Sequence, residues 1–313
     1  MWRSARYKSR RSPWLPAHDP SVQSLQLILL AVHKWSTSGI DNRPASVTSI
    51  QSKLSHIKWY HRVYAGFSPE LSAGHATALV GMRRLSGPPQ PRAPFTVSML
   101  QWLADRIDIK NPQQRLILGA TLLGFFFLLR SSEYLSVEGK RHRYALEVRD
   151  VQVFNNHGYP AWQSREADYV QITLRGSKTD QVGEGTSRRL HRSGNSRVCP
   201  VIGAILLLDL AAARGLRPTD AICAFDRSKM LKAEELSKVI QHATAACGAD
   251  SKTFSCHSLR SGGSTALIGA GVDSTNIKLH GRWRSDTFQR YTPYTNGVGA
   301  HLAAMMVGRQ VDI

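Results

Sequence analysis

Apolar side chains recur at intervals of three and four residues across the first 84 positions of the chain. That spacing places them on one face of a helix. The breaks SGIDNRP and GFSPELS divide the pattern into segments. The apolar positions are Leu25, Ile28, Leu29 and Val32, then Ile50, Leu54 and Ile57, then Ala73, Ala76, Leu79 and Val80. The pattern predicts a bundle of about four helices over residues 19–84.

The helical pattern stops at the segment RRLSGPPQPRAP, which is rich in Pro and Gly. Such a composition is typical of an interdomain linker, which we place at residues 85–95. Helical signals resume after it. One helix is expected to be capped at Ser98, and another to begin at Asn111 and Pro112 and to run to Arg130.

Alternation of polar and apolar positions replaces the helical pattern between residues 146 and 192. LEVRDVQVF, DYVQITLRG and RRLHR alternate as strands do, with the turns NNHG and SKTD between them. After CPVIGAILLLDLAAARG the pattern is helical again to the end of the chain. We therefore predict a mainly α protein with one small antiparallel β-sheet, an α+β class, whose second domain spans residues 96–297. A terminal helix or tail is expected at 298–313.

The charge balance points to a polyanionic partner. The chain has 41 Lys and Arg residues against 22 Asp and Glu, a net charge of +19. Nucleic acid is the first hypothesis and a membrane surface the second. The longest apolar run, LILGATLLGFFFLL, is shorter than the ~20 residues that span hydrocarbon, so we expect no membrane partner. Residues 1–18 carry five basic and no acidic side chains, which predicts a flexible arm.

Metal and cofactor motifs are not found in the sequence. The four cysteines form no C-x-x-C pair, and no histidine joins Cys or carboxylates at zinc-ligand spacing. There is no phosphate-binding G-x-x-x-x-G-K-[ST] loop and no secretion signal in the basic start MWRSARYKSRRSPW. We expect free thiols, an intracellular location, and chemistry without metal or cofactor.

The stretch HSLRSGG suits phosphate binding. His257 and Arg260 lie three residues apart, so a helix turns both side chains toward one object. Gly262 and Gly263 would let a partner backbone approach closely. A His-x-x-Arg pair also arises by chance in basic proteins. The stretch alone leaves both a phosphate site and an ordinary basic helix open.

Other candidates lie before and after this stretch. HGRWRSDTFQRY contains Trp283 and Tyr291, which taken singly are more often core aromatics than catalytic groups. LLRSSEYL places Arg130 at the expected end of a buried helix, where it could also cap that helix. ITLRGSKTDQ places Lys178 at the tip of the predicted hairpin, where a solvated turn residue is the alternative. For Glu133 two roles are considered, and orienting an arginine is favoured over acting as a catalytic acid.

Taken in order, these candidates resemble the active-site set of the tyrosine recombinases, also called the phage-integrase family. The set is Arg130, Lys178, His257, Arg260, Trp283 and Tyr291. The local sequences LLRSSEYLSV, SKTD, HSLRSGG and GRWRSDTFQRY are similar too. The resemblance covers residues 96–294, and the preceding bundle resembles the family's core-binding domain. SKTDQ, CPV and GRWRSD look most like recombinases of eukaryotic mobile elements, the DIRS-like and Crypton-like types.

The resemblance implies a two-domain clamp on duplex DNA that cleaves and rejoins strands without metal or ATP. Tyr291 would be the nucleophile that forms a 3′-phosphotyrosine link, with His257 as general base and Lys178 as general acid. The two arginines would hold the non-bridging oxygens, and Trp283 would donate a hydrogen bond or pack against the site. A homotetramer on paired sites is implied, and residues 298–308 would either pack locally or dock on a neighbouring protomer.

One spacing departs from the family's pattern. The family's His or Trp position usually lies nine residues before the nucleophile, whereas Trp283 lies eight before Tyr291. Tyr294 therefore competes for the role of nucleophile, and His280 competes for the role of Trp283.

Several matters stay open at this level. Basic loop residues expected to contact DNA phosphates are Lys140, Arg141, Arg188, Arg189 and Arg192. Competing functions are a domesticated DNA-binding protein that has lost catalysis and a type IB topoisomerase. The basic segments suit the nucleus of a eukaryotic host, or otherwise the cytoplasm and nucleoid.

Overall fold

The computed structural model describes residues 15–37, 45–86, 92–161, 163–176, 180 and 182–283. The chain divides between Pro89 and Gln90 into two compact units, which we call the N-terminal and C-terminal units. Several predictions fall outside the described residues. They concern most of the arm at 1–18, part of the linker, Lys178, Tyr291, Tyr294 and the tail at 298–313.

Three helices form the described part of the N-terminal unit, fewer than the sequence pattern predicts. They are α1 (Pro20–Ser36), α2 (Val47–Tyr64) and α3 (Ala73–Leu85). Their shared core consists of Leu15, Leu27, Ala31, Val47, Ile50, Leu54, Leu79 and Met82. In α2 the predicted apolar positions are the ones that face this core.

The buried face of α1 differs from the face that its apolar pattern indicates. Leu25 and Leu29, two positions of that pattern, are 55% and 58% exposed. The buried face instead carries Gln23 and Ser24. The Gln23 amide accepts a hydrogen bond from the Glu70 backbone at 3.0 Å and donates one to a carbonyl before the helix, while Ser24 bonds the segment before α3. These polar bonds rotate the helix and expose its apolar stripe.

The C-terminal unit contains the predicted combination of helices and a small sheet. Its elements are α4 (Val97–Arg106), α5 (Pro112–Phe126), β1 (Val151–Phe154), β2 (Tyr169–Leu174), β3 (Thr186–His191), α6 (Pro200–Ala213), α7 (Ala233–Ala246), α8 (His257–Gly269) and α9 (Ser274–Gly281). Short 3₁₀ turns occupy Ser131–Glu133, Val148–Asp150 and Ser251–Thr253. The predicted fold class, mainly α with a small antiparallel sheet, is confirmed. No helix of the described residues is long and apolar enough to cross a membrane.

The sheet is antiparallel with strand order β1-β2-β3. β2 and β3 form a hairpin whose register pairs Tyr169 with His191 and Leu174 with Thr186. All three predicted strand regions are found, although the first strand is shorter than LEVRDVQVF. The sequence pattern predicted helix for the residues between α6 and α7, but they are not helical. The backbone N–H of Ile222 in this segment donates to the Leu146 carbonyl at 3.0 Å.

Two helix starts were predicted from capping residues, and one of the two predictions agrees with the structure. The Asn111 side chain accepts backbone N–H groups of the first turn of α5, with Pro112 at the first helical position, as predicted. For α4 the cap is Thr96, not Ser98, because the Thr96 hydroxyl accepts the Met99 N–H at 3.2 Å.

The helix α5 ends at Phe126, so the prediction that it runs to Arg130 is wrong. It is buried on nearly every side, and an apolar helix of this kind carries no periodic signal for its end. Leu128 adopts a left-handed conformation with φ 50°. That conformation is unfavourable for a branched side chain within a helix and turns the backbone away. Arg130 consequently lies beyond the helix.

Helix α8 packs against α5 at backbone distance. A Cβ atom at Gly263 would overlap the Phe125 carbonyl oxygen and the Leu128 side chain, and one at Gly262 would overlap the Phe95 carbonyl. The glycine pair therefore serves close packing inside this unit, whereas the sequence suggested the approach of a partner backbone.

We expect Gly263→Ala to lower the free energy of unfolding by about 1–3 kcal/mol, because the added methyl group overpacks the contact with α5. Gly269→Ala in the same helix is the matched control, since its Cβ would meet nothing within 4 Å. It should be neutral or stabilising, because alanine favours helix. Urea unfolding of the full chain measures both variants, and equal effects would contradict the packing role.

Candidate active site

Four of the six predicted active-site residues lie in the described structure, and three separate segments bring them together. Arg130 follows the end of α5, His257 and Arg260 begin α8, and Trp283 follows α9. Close packing of α8 on α5 and of α9 on α8 places these segments side by side. The other two, Lys178 and Tyr291, lie outside the described residues.

Glu133 connects two arginines through its carboxylate. Its Oε1 lies 2.8 Å from Arg130 Nη1, and its Oε2 lies 2.7 Å from Arg282 Nη2. Oε2 also accepts the backbone N–H of Arg130 at 2.8 Å. Burial by itself raises the pKa of the Glu133 carboxyl, but the guanidinium groups of Arg282 and Arg130 outweigh burial and hold the pKa below its ordinary value. The carboxylate is therefore charged and orients Arg130, as the sequence predicts.

Arg260 is enclosed by the protein. Its side chain is 1% exposed, and its two terminal nitrogens donate to the carbonyl groups of Leu128 and Gly281. The Trp283 ring covers the guanidinium at 4.1 Å, an arrangement that favours a cation. Of the two roles considered for Trp283, packing against the site is the one that this contact supports.

Basic side chains bind the carbonyl group of the last residue of α5 and those of the two residues that follow it. The pairs are His280 with Phe126 at 2.8 Å, Arg282 with Phe127 at 3.1 Å, and both Arg260 and Arg282 with Leu128. Cations are favoured at a helix C-terminus, where unpaired carbonyls concentrate negative partial charge. His280, the competitor of Trp283, thus has a contact that holds α5.

The imidazole of His257 sits in a cationic, partly buried environment. Burial lowers its pKa below the ordinary 6.5, and the charges of Arg260, Arg130 and Arg92 lower it further. The ring is therefore neutral at neutral pH, the form that accepts a proton.

Arg282 is a site residue that the sequence analysis missed. Its guanidinium is buried against Glu133, and its backbone has φ 57°. A signal for it exists, because Arg282 lies nine residues before Tyr291. That is the spacing at which the family resemblance places the His or Trp position.

Most of the basic residues predicted to contact DNA phosphates form contacts with other groups of the protein. Lys140 is exposed, but the four arginines each contact the protein itself. Arg141 bonds Glu147 at 2.8 Å, Arg188 bonds the Leu279 carbonyl at 2.7 Å, Arg189 covers the Tyr169 ring at 4.3 Å, and Arg192 bonds the Ala167 carbonyl at 2.6 Å. These bonds give the arginines structural roles, and their contact with DNA stays a prediction. Among the described residues, no group of three or more His, Cys, Asp or Glu side chains could hold a metal ion.

We expect Glu133→Gln to destabilise the chain by about 3 kcal/mol at neutral pH, since the buried Arg282 and the partly buried Arg130 lose their counter-charge. The folded pKa of Glu133 is lowered, so its stabilising effect is complete above the ordinary value of 4.5 and is lost as pH falls through the folded value. The difference between wild type and variant should therefore shrink below pH 4.5. Urea unfolding between pH 7 and 3 measures it. Glu166→Gln, at an exposed ion pair of 4.0 Å, is the control and should have little effect.

No family model matches the chain, and no curated protein matches it. Solved structures do. The Tn1549 transposon integrase in complex with circular intermediate DNA superimposes with a TM-score of 0.53 at 14% identity, over 96% of this chain and 90% of that one. A second complex of that integrase gives 0.54 at 13% identity, over 92% and 86%.

The XerH site-specific recombinase, bound to a palindromic difH substrate in a post-cleavage complex, gives a TM-score of 0.51 at 14% identity. The match covers 93% of this chain and 79% of that one. Both proteins thus match nearly the whole chain at low identity. The chain has the fold of these site-specific recombinases and transposon integrases.

Proposed function

We propose that the chain is a tyrosine recombinase, a DNA strand transferase that cleaves duplex DNA at specific sites and rejoins the strands. The observation that carries the proposal is the meeting of Arg130, His257, Arg260 and Trp283 at the end of one buried helix. These residues are far apart in the sequence and belong to the ordered set that suggested this chemistry. The fold is that of solved recombinases and integrases.

The arginines meet the electrostatic need of the reaction. A phosphodiester under attack gains negative charge on its non-bridging oxygens, and preorganised donors stabilise that charge. Arg130 is 22% exposed and held by Glu133, so its remaining N–H groups can face a phosphate. Arg260 lies behind Trp283. A phosphate reaches it directly only if one of its present contacts moves.

Proton transfer completes the step. The Tyr291 oxygen attacks phosphorus, and its proton passes to neutral His257. The bond from phosphorus to the 5′ oxygen breaks, and Lys178 supplies the proton to that leaving oxygen. The product is a 3′-phosphotyrosine diester and a free 5′ hydroxyl. Attack by a second 5′ hydroxyl reverses the step and joins new strands without an energy source.

The wider setting follows from the same resemblance. We propose that the two units clamp duplex DNA, that four copies act on paired sites, and that the protein belongs to a mobile element of the DIRS-like or Crypton-like type. Nuclear entry suits the basic segments if the host is eukaryotic. The net charge of +19 supports a nucleic-acid partner, and the local sequences around the site residues support the element type.

A covalent adduct is the expected signature. The wild-type protein is incubated in EDTA with a pool of nicked duplexes of random sequence, in which loss of a short 5′-hydroxyl fragment traps the intermediate. DNA that stays attached to protein after denaturation is sequenced. We expect adducts with one selected sequence, because the proposed enzyme acts at specific sites. Tyr291→Phe should abolish these adducts, because Tyr291 is the nucleophile, and Tyr294→Phe should retain them.

The outcomes separate the alternatives. No adduct with wild type on any duplex would reject the proposed enzyme and leave a DNA-binding protein. Adducts from Tyr291→Phe but not from Tyr294→Phe would move the nucleophile. Relaxation of a supercoiled plasmid that lacks the selected sequence would indicate a topoisomerase instead.

The rate of adduct formation should depend on pH through His257. Since burial and nearby arginines lower its pKa, the neutral base persists below pH 6.5, and the rate should fall only at more acidic pH. His257→Asn should slow the reaction by about 10²–10⁴-fold and remove the acid limb. His280→Asn is the matched control, because its pKa is also lowered by burial. It should keep the limb, and a limb that survives in His257→Asn would refute the assignment.

A further inference from the structure

Arg282 occupies a backbone position that favours glycine. It ends α9 in the left-handed conformation, with φ 57° and ψ 43°. Glycine is the usual residue at such a helix end, since it has no Cβ to clash with the following peptide. A strained non-glycine residue that persists at a candidate site points to a function of its side chain.

The Arg282 guanidinium joins segments that the site requires. It bonds Glu133 Oε2 at 2.7 Å and the carbonyls of Phe127 and Leu128 at 3.1 and 3.4 Å. The side chain is 9% exposed, and its buried Nε has no hydrogen-bond partner among the described residues. The bond to Glu133 links the Arg282 guanidinium to the carboxylate that also holds Arg130.

Charge balance gives this placement a consequence for Arg130. Glu133 alone with Arg130 would form a neutral pair, and a neutral pair attracts a phosphate weakly. With Arg282 on the other carboxylate oxygen, the three side chains carry one net positive charge. Arg282 also fixes the plane of the carboxylate, and that plane sets the direction of the Arg130 guanidinium.

We propose that Arg282 is a positioning residue for Arg130: through Glu133 it orients Arg130 and offsets the carboxylate charge, so that Arg130 presents its positive charge to the scissile phosphate. The inference rests on the proposed strand transfer for the identity of that phosphate. Arg282 itself does not contact DNA in this role.

The test compares single-turnover adduct formation on two forms of the selected duplex. One has an ordinary scissile phosphate. The other has a methylphosphonate there, which lacks one negative oxygen and needs less cationic stabilisation. The variants are Arg282→Gly, which suits the left-handed backbone, Arg130→Ala, and the double variant.

Arg282→Gly should slow cleavage of the phosphate about 10- to 100-fold, the effect of a misplaced catalytic group. It should slow cleavage of the methylphosphonate much less. Added to Arg130→Ala, it should have little further effect, because both changes act through one residue. Arg282→Lys keeps a charge beside Glu133 and should restore part of the rate.

Arg214→Ala is the matched control. Arg214 also follows a helix end and bonds backbone carbonyls, those of Ala224 and Phe225, without contacting Glu133. It should slow both substrates equally or not at all. The inference is overturned if Arg282→Gly slows both substrates equally, or if it slows the Arg130→Ala variant as much as it slows wild type.

A second measurement does not depend on cleavage. In protein labelled with ¹³C at the glutamate carboxyls, the Glu133 signal, identified by its loss in Glu133→Gln, is titrated in wild type and in Arg282→Gly. Loss of one cationic neighbour should raise the pKa of Glu133. An unchanged pKa would overturn the inference whatever the cleavage assays show, whereas a raised pKa with no wild-type adduct would reject only the proposed function.

Discussion

The C-terminal unit depends on how the end of α5 is bound inside the protein. A helix leaves its last carbonyl groups without partners, and burying them unpaired is costly. Because α5 is apolar on nearly all sides, its own residues offer no polar side chains for the purpose. His280 of α9 and Arg282 at its C-cap bind the carbonyls of Phe126 and Phe127 instead, and Arg260 of α8 binds that of Leu128 just beyond the helix. The same bonds gather arginine and histidine side chains at one point.

This solution creates an electrostatic need. Two of the arginines, Arg260 and Arg282, are almost fully buried, and a buried charge requires a partner. Glu133 forms an ion pair with Arg282, while Arg260 donates to two backbone carbonyl groups and lies against the Trp283 ring. One carboxylate among several cations leaves an excess of positive charge beside Arg130. The interactions that end the helix thus also form a site suited to a phosphate.

Much of this could be predicted from the sequence, and the failures have physical causes. The strands and the Asn111 cap follow from local rules, whereas the set of candidate site residues came from the resemblance to a known family. The inward face of α1 does not follow from local rules, because Gln23 forms long-range bonds that outweigh apolar periodicity. The end of α5 could not be predicted either, since a helix that is apolar on nearly all sides has no alternation of polar and apolar positions whose loss would mark its end. Arg282 was not predicted either, because the neighbouring Trp283 was the candidate at this point of the sequence. Only the contact of Arg282 with Glu133 in the structure identifies it as a candidate site residue.

The glycines of HSLRSGG show why motif and packing cannot be separated here. Gly263 lets α8 lie directly on the Phe125 backbone. One turn earlier in that helix, Arg260 reaches the Leu128 carbonyl only because the helix is so close. A larger residue at 263 would push away the helix that carries His257 and Arg260. The glycine therefore contributes to the proposed phosphate site without facing a phosphate, because it sets the distance between His257 and Arg260 and the end of α5.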